Sequence, residues 1–348
     1  MVKKQEDFES TDQIDELIKN ISKSFAGFAS RGDVAEVKKG ILSTGIPSLD
    51  KIMGGGYRKG ASHLFTGDSM SGKTLISYFG IIQAQAKGEI AVLVDMENCY
   101  DPEWAKKIGI DTNKLVVIKP ESGESAVDTV VELIRNKVGM IVLDSNAALL
   151  PLAESEGDAE QQFMGIQARL INKLYRKITP INTDTVFIAT NQLRQKIGDR
   201  FHPGVEDVLP GGKGQVFYSH LMLKITRRGS LVRKNVKGED TIVSEDNSSD
   251  KKKEGVKVGH NLELFTAKCK FYPAYQSCII PFNFYTGQLD HLSSLIEVAI
   301  DEDIVHKINN LSYEFNGTKI VGRQGLTDYF NSRPDEVEFL KNLVIQNA

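Results

Sequence analysis

Short, almost uninterrupted apolar runs alternate with helical patterns between residues 60 and 226. Because these runs lack polar alternation, both faces of each strand are expected to be buried. Strands of this kind separated by helices predict an α/β fold with a mostly parallel, twisted sheet flanked by helices. In such sheets, ligand-binding residues gather where the strands end. The predicted strands are 62–66, 90–94, 140–143, 186–189 and 221–225.

An amphipathic helix is predicted before this region, over residues 10–27, with Ser10 as its N-cap and Gln13 completing a capping box. Its apolar positions recur at helical spacing. They are Ile14, Leu17, Ile18, Ile21 and Phe25. A single helix cannot bury this face alone, so it docks either on its own chain or on another subunit; the sequence leaves both open.

The chain changes character after the alternating region. Residues 229–259 are rich in Lys, Glu, Asp and Ser, which indicates a solvated hairpin tip or mobile insert. Strand patterns resume at 261–272 and 277–285, and a hairpin over 313–319 and a final helix from Pro334 follow. We therefore expect three parts: an N-terminal helix and linker (1–35), a core (36–286) and a small C-terminal α+β domain (287–348).

Composition narrows the class of protein. The 348 residues carry a net charge of −3 and no apolar run approaching the ~20 residues that span a bilayer. Three scattered cysteines form no disulfide framework, and the six histidines show no paired metal-binding pattern. We expect a cytoplasmic protein without a membrane partner.

Residues 67–74 carry the most specific chemical signal, a complete G-x-x-x-x-G-K-[ST] phosphate loop between a strand and a helix. Its backbone N–H groups and the helix N-terminus suit a polyphosphate. Lys73 is expected to reach the β- and γ-phosphates, and the Thr74 hydroxyl to bind Mg²⁺. The full loop comprises Gly67, Asp68, Ser69, Met70, Ser71, Gly72, Lys73 and Thr74.

Three further polar residues follow predicted strands. Asp144 is placed to hold Mg²⁺, and Glu97 to polarise the water that attacks the γ-phosphate. Gln192, after strand 186–189, is an amide that would sense the γ-phosphate. Each has an ordinary alternative, as a strand-end carboxylate, a surface glutamate or a structural cap.

Loop 193–214 is longer than a connection requires and is rich in glycine and basic residues. The segment from Arg194 to Arg228 holds seven Lys or Arg residues against three Asp or Glu. In an acidic chain this is a local basic site next to the predicted γ-phosphate sensor, although a solvated loop would also have this composition.

Together these motifs resemble the RecA family of ATP-dependent DNA recombinases, over roughly residues 10–335. The resemblance rests on several segments in the family's order, which are 43–50, 67–74, 95–97, 100–102, 106–111, 144–157, 191–198, 210–212, 217–218 and 268–273. It implies a RecA-like ATPase core over 36–286.

The resemblance also implies roles for particular residues. Asp101, Trp104 and Tyr285 would lie near the adenine; Phe217, Lys268 and Lys270 would lie at the interface with a neighbouring subunit. The catalytic residues would be Glu97, Lys73 and Gln192. The DNA-binding residues would be Met164, Arg169, Arg176, Arg194, Lys196, Ile197, Gly211, Gly212 and Lys213.

The function implied is a DNA-stimulated ATPase that uses ATP and Mg²⁺, forms helical filaments on single-stranded DNA, and drives pairing and strand exchange with double-stranded DNA. A non-closing contact between subunits would produce such a filament. Two alternatives remain: a hexameric helicase or branch-processing motor, and a non-catalytic single-strand-binding mediator. A small-molecule kinase fits less well because it has no use for the long basic loop.

Overall fold

The computed structural model describes residues 3–24, 40–152, 160–193, 209–236, 239–245 and 255–347, which fall into two compact units, 1–39 and 40–348. The first unit contains helix α1, Lys3–Ser24. The prediction of Ser10 as an N-cap was wrong, because Ser10 lies inside α1. Residues 3–9 are largely Lys, Gln and Glu, which propagate a helix well and carry its start towards the N-terminus.

The second unit is built on one large sheet that is parallel on one side and antiparallel on the other. The strands of this unit up to residue 289 are, in chain order, β1 (Ile41–Leu42), β2 (Tyr57–Arg58), β3 (Ser62–Gly67), β4 (Ala91–Asp95), β5 (Leu115–Ile118), β6 (Met140–Asp144), β7 (Val186–Gln192), β8 (Leu221–Val236), β9 (Glu239–Glu245), β10 (Val256–Cys269), β11 (Ser277–Asn283) and β12 (Gln288–Leu289). Among the described residues the order across the large sheet is β12–β11–β10–β8–β3–β7–β6–β4–β5, with β9 paired to β8. Strands β8, β3, β7, β6, β4 and β5 are parallel neighbours, which confirms the predicted parallel sheet.

Helices cover both faces of this sheet. They are α2 (Pro47–Met53), α3 (Lys73–Ala86), α4 (Pro102–Ile108), α5 (Gly123–Arg135), α6 (Glu160–Ile178) and α7 (Gly214–Tyr218), with a 3₁₀ turn at Asn146–Ala148. Helices α2, α3 and α4 pack on the first face, and α5 and α6 on the second.

The continuous apolar runs are explained by burial on both faces. Along β6, Met140 and Val142 join one core cluster, and Ile141 and Leu143 join the other. Alternate side chains of a strand point to opposite faces. A strand covered on both sides therefore needs apolar residues at every position.

The polar insert 229–259 contains more strand than predicted. Strand β8 continues to Val236 and pairs with β9 in an antiparallel hairpin, and β10 begins at Val256 rather than at Asn261. The described part of the insert therefore extends the antiparallel side of the sheet.

The C-terminal residues have a core of their own. Three antiparallel strands, β13 (His306–Asn309), β14 (Ser312–Phe315) and β15 (Thr318–Val321), pack with α8 (His291–Asp301), α9 (Gly322–Asn331) and α10 (Pro334–Asn347). Leu295, Phe315 and Phe330 are central to this cluster. Residues 40–348 nevertheless form one compact unit. The predicted domain boundaries at 35/36 and 286/287 stay a prediction.

A small polar joint links α2 to α8. The buried hydroxyls of Ser48 and Ser294 are hydrogen-bonded at 2.6 Å, and Lys51 pairs with Glu302 at 2.8 Å and with Asp301 at 3.7 Å. Over the residues described, no helix is both long and apolar enough to cross a bilayer.

We expect His260 on β10 to make the stability of the protein sensitive to acid. Burial, aided by Lys257 and Arg227, lowers the pKa of His260 from 6.5 to about 4. Between these values the unfolded chain binds a proton that the folded chain does not, so we expect the free energy of unfolding to fall as pH drops through this window. Chemical denaturation at several pH values should show a shallower dependence for His260→Gln. The two proteins should have the same slope above pH 7, and equal slopes below pH 6 would contradict this.

Candidate nucleotide-binding site

The phosphate loop lies between the end of β3, the central strand of the large sheet, and the first turn of α3. Gly72 caps α3 with a φ of 103°, a left-handed conformation that favours glycine. A Cβ on Gly67 would lie 2.2 Å from the carbonyl oxygen of Ile225, so no side chain fits there. The loop therefore brings backbone N–H groups and a helix N-terminus to one point, as an anion-binding site requires.

Met70 is unusual within this loop. It has a φ of 58° and is 82% exposed, while Asp68 and Ser69 are also exposed and Ser71 is buried. A non-glycine residue in the left-handed region is uncommon and carries backbone strain. No described contact explains the choice of methionine at this position.

The carboxylate of Asp144 is held between two threonine hydroxyls. Thr74 Oγ1 donates to Asp144 Oδ2 at 2.6 Å, and Thr190 Oγ1 donates to Asp144 Oδ1 at 2.5 Å. Burial raises the pKa of Asp144, and these two hydrogen bonds oppose the rise. A hard cation would stabilise this desolvated carboxylate, so Asp144 and the Thr74 hydroxyl suit Mg²⁺.

Glu97 is positioned by two neighbours. Ser145 Oγ donates to Glu97 Oε1 at 2.5 Å, which ties the glutamate to the end of β6. Behind it, the buried carboxylate of Asp95 accepts from the backbone N–H groups of Cys99 at 3.2 Å and Tyr100 at 3.1 Å. These hydrogen bonds fix the turn that holds Glu97 just past the carboxyl end of β4.

Lys73 lies within the field of the site's carboxylates. Its Nζ donates to the carbonyl oxygens of Asp68 at 2.7 Å and Gly67 at 3.2 Å. Burial lowers the pKa of Lys73, while Asp144 and Glu97 raise it. The phosphate-loop lysine and both predicted acidic residues are therefore grouped together.

Gln192 ends β7 directly beside the phosphate loop. Its partner in the parallel register is Gly67, and Leu193 N–H donates to the Gly67 carbonyl at 3.1 Å. A displacement of the phosphate loop would therefore also displace the end of β7, from which loop 193–214 begins.

The predicted DNA-binding residues are only partly described. Arg169 and Arg176 are exposed on α6, and Gly212 and Lys213 are exposed just before α7. A Cβ on Gly212 would lie 3.3 Å from Ala168 Cβ, so this end of the loop packs beside Arg169. Gly211 is buried, and the Met164 side chain is not described. Arg194, Lys196 and Ile197 lie outside the described residues.

Of the three residues assigned to the adenine, Asp101 and Trp104 have clear structural partners, whereas Tyr285 is exposed. Asp101 Oδ1 caps α4 by accepting from the N–H groups of Glu103 at 2.8 Å and Trp104 at 3.3 Å. Trp104 packs edge-on against Phe282, and Tyr285 is 59% exposed just past the end of the same strand. Their role in binding adenine stays a prediction.

Phe217 and Lys268 lie next to each other, and their place at an interface with a neighbouring subunit stays a prediction. Phe217 is 73% exposed on α7, and Lys268 Nζ donates to the carbonyl oxygens of Val216 at 2.6 Å and Phe217 at 3.0 Å. Burial, followed by the charge of Lys270, lowers the pKa of Lys268. An exposed aromatic ring beside two lysines is a surface that a neighbouring subunit can cover.

The sequence did not reveal the residues that support the site. Thr190, Ser145 and Asp95 hold Asp144, Glu97 and the turn around Glu97. Threonine, serine and aspartate at strand ends are common, and only the hydrogen bonds distinguish these three. The available signal was that each of them lies one or two positions after a predicted strand.

A phosphate loop after the central strand of the large sheet, flanked by the carboxylates of Asp144 and Glu97, defines a P-loop nucleotide-binding protein. The family model for the RecA N-terminal domain matches residues 12–256, and the chain belongs to the RecA family. Family membership assigns it to DNA recombination and repair, among proteins that are DNA-dependent ATPases.

Relatives match over most of their length. Protein RecA of Streptococcus agalactiae serotype III (strain NEM316) is 33% identical over 335 residues, covering 93% of this chain and 83% of the relative. Protein RecA of Leptospira biflexa serovar Patoc is 33% identical over 339 residues, with coverage of 95% and 81%. Protein RecA of Mesoplasma florum is 31% identical over 324 residues, with coverage of 92% and 90%.

Removing one hydroxyl should weaken the Asp144 site. Thr190→Val keeps the side-chain shape but deletes a charge-assisted hydrogen bond, worth about 1.5–3 kcal/mol. We expect roughly tenfold weaker Mg²⁺-dependent nucleotide binding, measured by titration calorimetry at fixed Mg²⁺. Thr66→Val is the matched control, because Thr66 is a buried threonine on β3 that donates to the Leu223 carbonyl instead. Equal affinities in both variants would show that Thr190 does not support this site.

Proposed function

We propose that this protein hydrolyses ATP with Mg²⁺ in a DNA-stimulated manner and forms helical filaments on single-stranded DNA that promote pairing and strand exchange with a homologous duplex. The observation that carries the proposal is the grouping of Lys73, Asp144 and Glu97 beside the phosphate loop.

The residues divide the chemistry between them. Backbone N–H groups of 67–74 and Lys73 would hold and orient the phosphates. Glu97 Oε2 would accept a proton from the attacking water, because Oε1 is already engaged by Ser145. Thr74 and Asp144 would hold Mg²⁺, and ATP would supply the reacting phosphoanhydride, whose charge the Mg²⁺ would neutralise.

Binding to DNA would use the exposed basic residues near the end of loop 193–214. Arg169 and Arg176 are seven positions apart on α6 and so share a face, and Lys213 precedes the helix packed against it. Gln192 would link this surface to the γ-phosphate through β7. Filament contacts would involve Phe217, Lys268 and Lys270.

Family membership does not favour the hexameric motor or the non-catalytic mediator. A cytoplasmic location in a bacterial or phage-infected cell stays a prediction, consistent with the RecA relatives of bacterial origin.

Glu97→Gln should separate binding from turnover. The amide can still accept from Ser145 but cannot take a proton from water, so DNA-stimulated ATPase activity should fall about 10²–10⁴-fold while nucleotide and DNA affinities are retained. Phosphate release measures the ATPase activity, and fluorescence anisotropy with labelled nucleotide or DNA measures the two affinities. Glu103→Gln, an exposed glutamate six residues further on, is the matched control and should retain activity. Unchanged turnover in Glu97→Gln would exclude its assigned role.

Lys73→Ala should abolish ATP-dependent filaments. Loss of the ammonium removes the phosphate contact from which nucleotide-dependent assembly would begin. Negative-stain microscopy with single-stranded DNA, with and without ATP, gives the readout. Lys87→Ala, which alters an exposed lysine at the other end of α3, should assemble normally. ATP-dependent filaments of normal length in Lys73→Ala would contradict the phosphate-loop argument.

A further inference from the structure

Three amide side chains form a buried hydrogen-bonded network next to the nucleotide site. Asn146, Asn191 and Gln215 are each 0% exposed. Gln215 Oε1 accepts from Asn191 Nδ2 at 2.8 Å and from Asn146 Nδ2 at 3.0 Å. Gln215 Nε2 donates to the carbonyl oxygens of Pro210 at 2.5 Å and Gly212 at 3.2 Å. Gln215 is therefore the hub of the network.

The donors of this network are all used. Asn191 also donates to the Pro210 carbonyl at 3.0 Å, and Asn146 to the Tyr175 hydroxyl at 3.3 Å, so each of the three amides makes two donor contacts. By contrast, Asn146 Oδ1 and Asn191 Oδ1 meet no donor among the described residues. A buried acceptor without a partner is unfavourable, so the loss of any further hydrogen bond in this network would add to that cost.

Each amide lies beside a residue with a proposed role. Asn146 follows Ser145, which holds Glu97; Asn191 precedes Gln192, the proposed γ-phosphate sensor. Gln215 lies on α7 two residues before the exposed Phe217, and its two carbonyl partners are at the described end of loop 193–214. The network thus connects the nucleotide site, the DNA loop and the proposed subunit interface.

We propose that Gln215 is a positioning residue that couples nucleotide state at Glu97 and Gln192 to the DNA-binding loop and to α7. The proposal rests on the function proposed above and names the side chains that carry its regulation. Apolar contacts tolerate sliding, whereas amide hydrogen bonds require donor–acceptor distances near 2.7–3.2 Å. A shift of a few tenths of an ångström at the end of β7 would therefore be transmitted through Gln215 to Gly212, and through both Gln215 and Asn191 to Pro210, instead of being absorbed.

The tight packing of α7 on α6 limits other routes. A Cβ on Gly214 would lie 1.4 Å from Asn172 Oδ1, so the start of α7 is pressed against α6 and cannot tilt freely towards it. Movement of the loop end relative to β7 is then governed by the two Gln215 contacts together with the direct hydrogen bond from Asn191 to Pro210.

The experiment measures the affinity for oligothymidylate with a non-hydrolysable ATP analogue and with ADP. Coupling between two sites typically changes affinity 5–150-fold. In Gln215→Met, which keeps the length of the side chain but makes none of its four hydrogen bonds, the ratio of the two DNA affinities should fall at least about fivefold towards one. Affinity for the analogue alone should be unchanged, since none of these four hydrogen bonds involves the phosphate loop.

The matched control is Asn182→Leu. Asn182 is also a buried amide, but it bonds to Thr185 before the opposite end of β7. It should lower stability without changing the affinity ratio, which separates coupling from general destabilisation. If Gln215→Met does not fold, the double variant Asn146→Leu/Gln215→Met removes two buried polar partners together and leaves fewer unsatisfied groups.

The outcomes are distinct. If the wild-type protein binds oligothymidylate equally well with the ATP analogue and with ADP, nucleotide does not control DNA binding. This outcome would refute that part of the proposed function and the coupling role of Gln215 with it. A large ratio of the two DNA affinities in the wild type that persists in a folded Gln215 variant would refute only the coupling role of Gln215. A ratio that falls equally in Asn182→Leu would also overturn it, because the effect would then be one of stability.

Discussion

The carboxylate of Asp144 joins β6, β7 and the start of α3 beside the phosphate loop. It ends β6, and it accepts hydrogen bonds from Thr74 at the start of α3 and from Thr190 on β7. A buried carboxylate is costly unless it is hydrogen-bonded or paired with a cation. This requirement fixes the spacing of three elements, and Lys73, Glu97 and Gln192 take their positions from them.

Much of the sheet was predictable from the sequence, because burial on both faces leaves a strong pattern. Residues 140–143 are apolar at every position, which is typical of a strand covered by helices on both sides. Strand β5 and helix α9 were missed for the opposite reason. Strand β5 has four residues, none of them fully buried, and α9 buries only Leu326 and Phe330, so neither leaves a distinctive pattern.

The candidate site was predictable only where the motif itself is specific. The phosphate loop, Asp144 and Glu97 follow from loop spacing and strand ends. Ser145, Thr190 and the amide of Gln215 do not, because their partners are distant in the chain: Gln215 and Asn146 are 69 positions apart. The misplaced start of α1 has another cause, since helix propensity continued beyond a residue that is also a good cap.

The polar joint between α2 and α8 has two parts that respond differently to dissolved ions. The Ser48–Ser294 hydroxyl pair is buried and uncharged, whereas Lys51 and Glu302 are both partly open to solvent. Counter-ions screen exposed charges over about 8 Å at physiological ionic strength, and over less in concentrated salt. Added salt therefore weakens the Lys51–Glu302 ion pair of this joint more than the buried Ser48–Ser294 hydrogen bond.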